Sequence, residues 1–270
     1  MKIAAFNVKN LGWKKVTDET VVRHLTKIMS QYSVVVILEV NDKSGKAMEK
    51  LHQELNSSSW NRTCPYSMIV SSQLGRDTYK EQFVCFYRIK NMTDGRQMRQ
   101  IPVFREKETQ VCWAVDQQPL LASSLSPVVF FVFQKIMILG DFNADGRYLS
   151  KKKKGMIRIC SAHYHWLIED DVDTTSSNLN DHTYDRIVVY GQTMLNAVVP
   201  GSAKSFNFQR EFKLTDEETL SISDHYPVEV ELKTDQKHKA PTQRRMVLTR
   251  TEKTTSNRQT QKTGPQKKKV

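Results

Sequence analysis

One stretch constrains this chain more than any other: Ile136–Asp145, which reads IMILGDFNAD. Ile136 to Leu139 form a short apolar run closed by a glycine, which predicts a buried strand. Gly140 is expected to end that strand. Asp141 and Asn143 follow at alternate positions, so both are expected to face one way. A carboxylate and an amide at the end of a core strand make a hard-oxygen site for a divalent cation, a phosphate or both. Taken alone, the motif is also an ordinary way for a strand to enter a loop.

Three further stretches put an ionisable group at the edge of an apolar run. In VVVILE the run Val34–Leu38 ends at Glu39. In YDRIVV Asp185 stands just before Ile187–Val189. In SDHYPVEVEL Asp224 and His225 precede an alternating strand. If these edges meet, the chain builds one acidic pocket holding one imidazole.

Six stretches carry a resemblance: AFNVKN (5–10), ILEV (37–40), LGRDTYKEQ (74–82), GDFNAD (140–145), TYDRIVV (183–189) and SDHYPVEVEL (223–232). Together and in order they resemble the motif set of the deoxyribonuclease I family, within the wider endonuclease/exonuclease/phosphatase superfamily. The resemblance implies an α/β fold, a four-layer α-β-β-α sandwich of two packed mixed sheets. It implies a divalent-metal-dependent endonuclease acting on double-stranded DNA, with Mg²⁺ or Mn²⁺ and Ca²⁺ as cofactors, a monomer, and actin as a candidate partner. His225 would be the general base and Asp185 its orienting carboxylate. Glu39 and Asp224 would be metal ligands with Asn7 beside them, and Asp141 and Asn143 would bind phosphate or metal. Glu81 would pair with the family's second catalytic histidine. Arg76 and Tyr79 would contact DNA, guanidinium in the narrow groove and ring against sugar; without the resemblance both read as loop residues.

The region 91–135 departs from the family. Relatives run there through two strands, a catalytic histidine and a long amphipathic helix. Here no histidine stands between Asn91 and Gln134, and Val128–Phe133 supplies one strand only. The expectation is a sandwich one strand and one helix short, with activity reduced and Glu81 left without its histidine. Two other readings compete: a nucleic-acid-binding remnant without catalysis, and another phosphoesterase of the superfamily acting on phosphoinositides, sphingomyelin or abasic sites.

Charge divides the chain. Residues 1–232 carry 29 Lys and Arg against 27 Asp and Glu, whereas residues 233–270 carry 12 against 2. The basic character therefore belongs to a polar tail with too few apolar residues to bury, expected to be disordered. Arg244-Arg245 and Lys267–Lys269 suit a nucleic-acid or nuclear-import arm. The expected domains are a nuclease body, 1–232, and this tail, 233–270. No leader-like segment follows Met1-Lys2, and no apolar run is long enough to span a bilayer. Cys64, Cys85, Cys112 and Cys160 lack metal-type spacing and read as free thiols. The resemblance also implies a disulfide in secreted relatives, at positions held here by Gly146 and His182. These points predict a cytoplasmic or nuclear protein without a membrane partner.

Along the chain, residues 2–8 read as a strand, and 18–31 as a helix capped by Thr17 or Asp18. Residues 43–55 read as a second helix, and Tyr66–Val70 and Phe83–Tyr87 as strands. Ile187–Tyr190 and Leu195–Val199 read as paired strands, Asp216–Leu220 as a helical turn and Tyr226–Leu232 as the last strand. The acidic run Glu169, Asp170, Asp171 and Asp173 lacks the glycine and terminal glutamate of an EF-hand loop and reads as a solvated turn. By resemblance it is a weak calcium candidate.

Overall fold

Two stacked β-sheets carry the site, and the apolar alternation of their strands explains how. The computed structural model describes residues 1–75, 80–88, 126–132, 135–143, 145, 157–177, 179 and 181–233. The six-stranded sheet contains β1 (Lys2–Leu11), β2 (Val34–Val40), β3 (Tyr66–Val70), β4 (Gln82–Arg88), β9 (Lys204–Ser205) and β10 (Val228–Glu231), in the order β3-β4-β2-β1-β10-β9. It is mixed, because β1 and β2 run parallel while β4 and β10 flank them antiparallel. The four-stranded sheet contains β5 (Ser126–Val132), β6 (Lys135–Asp141), β7 (Tyr164–Trp166) and β8 (Asp185–Tyr190), in the order β5-β6-β8-β7 and antiparallel throughout.

Alternation along β1 sends Ala4, Phe6 and Val8 into the core beneath the helices, and Ile3 and Ala5 into the core between the sheets. β2 does the same with Val35 and Ile37 on one side and Val34, Val36 and Leu38 on the other. Met137, Leu139, Ile187 and Val189 of β6 and β8 close the inter-sheet core. Each of these Val, Leu, Ile, Phe and Met side chains contributes roughly 1.5–3 kcal/mol when fully buried, so a one-residue slip in any of these strands would be strongly disfavoured.

Helices cover the outer face of the large sheet. α1 (Trp13–Thr17) is a short turn that the sequence reading did not separate from α2 (Glu19–Met29). Asp18, not Thr17, caps α2, accepting from the amides of Thr20 and Val21 at 2.9 and 3.1 Å. Thr17 instead ends α1, its hydroxyl donating back to the Trp13 carbonyl. α3 (Lys46–Ser57) buries Ala47, Met48, Leu51 and Leu55.

Three expectations are corrected. β6 does not stop at Gly140 but runs through it, with φ 132°, to Asp141. Gly140 tolerates that φ because it has no Cβ, and the ladder to β8 persists to the Asp141–Asp185 pair. Residues 195–199 are not a strand. Gly191–Ala197 is helix α4, started by Gly191 at φ 76°, and it buries Met194 in the inter-sheet core. The β-branched pair Val198-Val199 favours a strand, but all that forms there is one isolated bridge, from Val198 to Leu232 just past β10. β1 continues past residue 8 to Leu11, across a shift in its register with β2.

The expected shortfall of a strand and a helix falls largely on residues outside those described. β5 occupies part of that region, as Val128–Phe133 suggested. Later in the chain lie α5 (Phe208–Phe212), which the sequence reading missed, and α6 (Asp216–Ile222). α6 begins with a full capping box between Thr215 and Glu218.

Gly12 joins β1 to α1 at a tight crossing. A Cβ there would lie 2.9 Å from the Asn41 carbonyl oxygen, a backbone atom that cannot rotate away. Gly12→Ala should therefore destabilise the fold by about 1–3 kcal/mol, as overpacked positions do. Chemical denaturation measures this, and an unchanged midpoint would mean that the two backbones have slack.

Candidate active site

The inward-facing positions of four strands turn polar at one end of the sandwich. On β1, Asn7 follows Ile3 and Ala5 on the inner face. On β6, Asp141 follows Met137 and Leu139. On β8, Asp185 precedes Ile187 and Val189. Period-two alternation therefore aims all three between the sheets. Glu39 arrives differently. It takes φ 54° at a register shift between Ile37 and Val40, and Val40 rejoins the helix-side core. The bulge resets the alternation and leaves the Glu39 carboxylate at the strand end.

The side chains meet there. Asn7 Nδ2 donates to Glu39 Oε1 at 2.8 Å and to Asp141 Oδ2 at 3.1 Å, so one amide ties the two sheets together. Asn7 Oδ1 accepts from the Lys9 amide at 2.9 Å. Asp141 and Asp185 are direct cross-strand partners. His225 Nδ1 donates to Asp185 Oδ2 at 2.7 Å, and its Nε2 lies 4.0 Å from Asp141 Oδ2 and 3.9 Å from Asp224 Oδ1. Lys9 pairs with Asp224 Oδ2. Asn143, past the strand end, takes φ 44°, and its backbone amide donates to Asp141 Oδ1 at 2.8 Å.

Backbone strain marks the same spot. Five non-glycine residues among those described have positive φ: Lys9, Asn10, Glu39, Asn143 and Lys213. Lys213 is a left-handed cap at the end of α5, a common helix ending. The other four surround Asn7 and Asp141. Each such conformation costs on the order of 1–3 kcal/mol, and such costs collect at functional sites.

Other ties were not legible as functional residues. Ser223, fully buried, donates its hydroxyl to the Asn7 carbonyl at 2.7 Å and accepts from the His225 amide at 3.1 Å. Thr174 Oγ1 accepts from the amides of Tyr184 and Asp185 at 3.0 and 3.1 Å. Ser176 holds Ser223 O with its hydroxyl and Asp224 O with its amide. The serine of SDH was a signal in plain sight; nothing in the sequence singled out Thr174 or Ser176.

Glu81 stands just before β4, bridged to Leu74, and its neighbour Gln82 pairs with Val40, at the same end of the sheet as Glu39. Arg76 and Tyr79 lie outside the described residues. The acidic run is more committed than a solvated turn: Asp170 accepts from buried Arg186 at 2.7 Å, and Asp173 accepts from the Thr175 amide and hydroxyl. Cys64, Cys85 and Cys160 are free thiols, and burial pushes Cys85 up to about 12. At His182, one of the two positions that depart from secreted relatives, the ring lies 3.4 Å from Asp145 Oδ2. The other, Gly146, lies outside the described residues.

The electrostatics follow from burial and crowding. Burial first, and then the Asp185 carboxylate, pushes Asp141 up to about 6. Burial alone would lower His225, but the charge and hydrogen bond of Asp185, with Asp141 and Asp224 behind it, raise it to about 10. A folded value above the ordinary 6.5 means that the imidazolium stabilises the fold below about pH 6.5, a contribution lost as pH rises through about 10. The metal-free protein should therefore show a His225 ring titration well above 6.5 by NMR. A cation held by the carboxylates should lower it by competing for them. A metal-free value at or below 6.5 would contradict the arrangement.

Could these residues hold a metal? Among the described residues no group of three or more His, Cys, Asp or Glu forms a ready cage. Glu39, Asn7 and Asp224 do offer hard oxygens, and the buried Asp224 Oδ1 lacks a hydrogen-bond donor. One or two carboxylates, completed by water and substrate oxygens, is the donor set that Mg²⁺ accepts. The residues therefore fit a hard divalent ion, and they do not fit zinc.

No protein-family profile matches the chain. Deoxyribonuclease-1 of Bos taurus is 36% identical over 263 residues, covering 86% of this chain and 92% of that protein. Deoxyribonuclease-1-like 1 of Cricetulus griseus is 37% identical over 266 residues, covering 86% of this chain and 83% of that protein. Among solved structures, an endonuclease/exonuclease/phosphatase family protein from Leptotrichia buccalis superposes with a TM-score of 0.50, covering 87% of this chain and 100% of that one. Its identity is 14%, so that likeness is one of fold alone.

Proposed function

The chain belongs to the deoxyribonuclease I family, and from that premise we propose that it hydrolyses phosphodiester bonds within double-stranded DNA, with a divalent cation as cofactor. The observation that carries this reading is the buried Asp185–His225 pair, 2.7 Å apart, with Nε2 turned towards Asp141 and Asp224. Asp185 fixes the tautomer, so that Nε2 is the atom able to take a proton. In the proposed reaction a water oxygen attacks phosphorus while His225 Nε2 accepts its proton, which requires the ring to be neutral, as it would be once a cation offsets the carboxylate charge that raises it. The bond from phosphorus to the leaving oxygen breaks, and that oxygen takes a proton from solvent, to which His225 returns the one it accepted. Glu39, Asn7 and Asp224 would hold the cation, which when bound neutralises phosphate charge and acidifies water. Asn7 keeps Glu39 and Asp141 at fixed separation, and the Asn143 amide keeps Asp141 oriented.

Mg²⁺ fits this donor set best, with Mn²⁺ as its substitute. The calcium of the resemblance has weaker support here, because Asp170 is engaged by Arg186. We further propose reduced turnover, since no histidine stands between Asn91 and Gln134, where the resemblance places the family's second catalytic one. The same gap favours a second reading, a DNA-binding remnant whose affinity lies in the basic residues 233–270.

Plasmid nicking by the purified chain, with Mg²⁺ and with chelator, is the test. The expected result is slow, chelator-sensitive nicking that survives deletion of 233–270, while DNA affinity falls and loses part of its salt dependence. No nicking by either form, with binding lost alongside the tail, would establish the remnant. Faster turnover of a lipid phosphate would move the activity to another branch of the superfamily. We also propose a cytoplasmic or nuclear setting and a monomeric chain, and actin binding is a separate question for co-sedimentation.

A further inference from the structure

We propose that Lys15 is a positioning residue of this site, an ammonium brace that holds the β1 bulge against the end of α6 and so sets Asn7 and His225 in one geometry. The inference rests on the reading of the site as phosphodiester-hydrolysing.

Lys15 lies on α1, half-buried, and reaches two backbone carbonyls. Its Nζ donates to Val8 O at 2.8 Å and to Ile222 O at 2.7 Å. Both carbonyls need a donor from elsewhere. The register of β1 with β2 lapses between Asn7 and Leu11, where Lys9 and Asn10 take positive φ, and Val8 sits inside that lapse. Ile222 is the last residue of α6, and the final carbonyls of a helix have no partner within it.

These two carbonyls flank the site. Val8 stands between Asn7 and Lys9. Ile222 is followed by Ser223, whose hydroxyl donates to the Asn7 carbonyl and receives the His225 amide. Lys15 and Ser223 therefore make adjacent ties between the same two segments, one at Val8 and one at Asn7. From the other side Ser176 holds Ser223 O and Asp224 O. Only Lys15 brings a charge to this clamp. Burial, with the Lys9 ammonium acting the same way, draws its ammonium down to about 8, while the Asp224 and then the Glu39 carboxylates act to hold it up, so the cation predominates at neutral pH. A methionine of similar length would fill the space and leave both carbonyls without their donor.

The experiment uses the full chain, with wild type alongside. Lys15→Met should lower kcat for plasmid nicking by roughly 10–10²-fold, the scale of a sub-ångström to ångström misplacement, while KM moves by less than about threefold. Lys14→Met removes the same charge from an exposed neighbour and should leave kcat unchanged. Lys15→Gln, which keeps amide donors without charge, should fall between Lys15→Met and wild type; it also serves if the methionine variant does not fold. In the metal-free protein, the His225 ring signals and the Ser223–His225 amides should shift in the methionine variant. An unchanged kcat, or a rise in KM alone, would overturn the brace and make Lys15 a fold element or a DNA contact. If wild type itself fails to nick, the proposed function fails. The brace is then judged by the NMR signals, and unmoved His225 and Asn7 resonances would reject it.

Discussion

Replacing His225 by glutamine should lower plasmid nicking by roughly 10²–10⁴-fold, the usual contribution of a positioned general base. Glutamine can still donate a hydrogen bond towards Asp185 and fills much of the same space, so the fold should survive. What it cannot do is take a proton from water. No spare imidazole stands ready among the described residues. His52 bonds the Tyr66 carbonyl, His24 stacks on Phe212, His163 lies against Tyr190, and His165 sits on β7 opposite Val189, four residues along β8 from Asp185. His182, paired with Asp145, is separated from His225 by the Tyr184 ring. Asp185→Asn should act on the same step without touching substrate, because the amide reverses the hydrogen bond at Nδ1 and favours the wrong tautomer. The measurement is initial nicking rate at saturating Mg²⁺, with a melting curve as control. Turnover of His225→Gln within about threefold of wild type would mean that another group supplies the base, and the dyad would lose its role.

Much of this site was legible because strand period and chemistry coincide. Ile136–Leu139 and Ile187–Val189 are apolar runs whose next inward position is an aspartate, and Val34–Leu38 runs directly into Glu39; a buried strand can only present such a residue at its end. The sequence therefore points to Asp141, Glu39 and Asp185. It could not foresee how Glu39 escapes the helix-side face to which simple alternation assigns it, because a bulge is a property of two paired strands. Nor could it weigh Gly140, which looked like a terminator and is instead a strand residue whose backbone conformation only the ladder to β8 makes worthwhile. Residues 191–197 failed for a related reason: a helix start carried by a left-handed glycine outweighed the β-branched pair that follows it. The supporting hydroxyls of Thr174, Ser176 and Ser223 are ordinary residues in sequence, and proximity alone gives them a role.

The largest effect on stability should come from Arg186→Met. Arg186 is 1% exposed, the largest fully buried side chain in the described structure. It lies on the outer face of β8, opposite in sense to Asp185, with its guanidinium 5.6 Å from the Trp166 ring. Its Nε donates to Thr183 O at 3.0 Å, and one terminal nitrogen reaches Ile168 O, Glu169 O and Asp170 Oδ1 at 3.0, 3.1 and 2.7 Å. Burial lowers its pKa, and the Asp170 carboxylate opposes that shift. Methionine would match the stem but abandon three backbone carbonyls on the loop before β7's partner strand. At roughly 1–3 kcal/mol for each buried acceptor left unpaired, and with partial access of water to the loop, the loss should total about 3–5 kcal/mol. For a body of this size that is a fall in Tm of roughly 10 °C. Asp170→Asn tests where the energy lies. Asp170 is 59% exposed, so its charge is screened and its loss should cost less than about 1 kcal/mol. Equal losses in the two variants would show that the ion pair matters more than the carbonyl cradle. The expected inequality would show that Arg186 works as a buried donor array, fixing the chain on either side of Asp185 and thereby the angle from which that carboxylate meets His225.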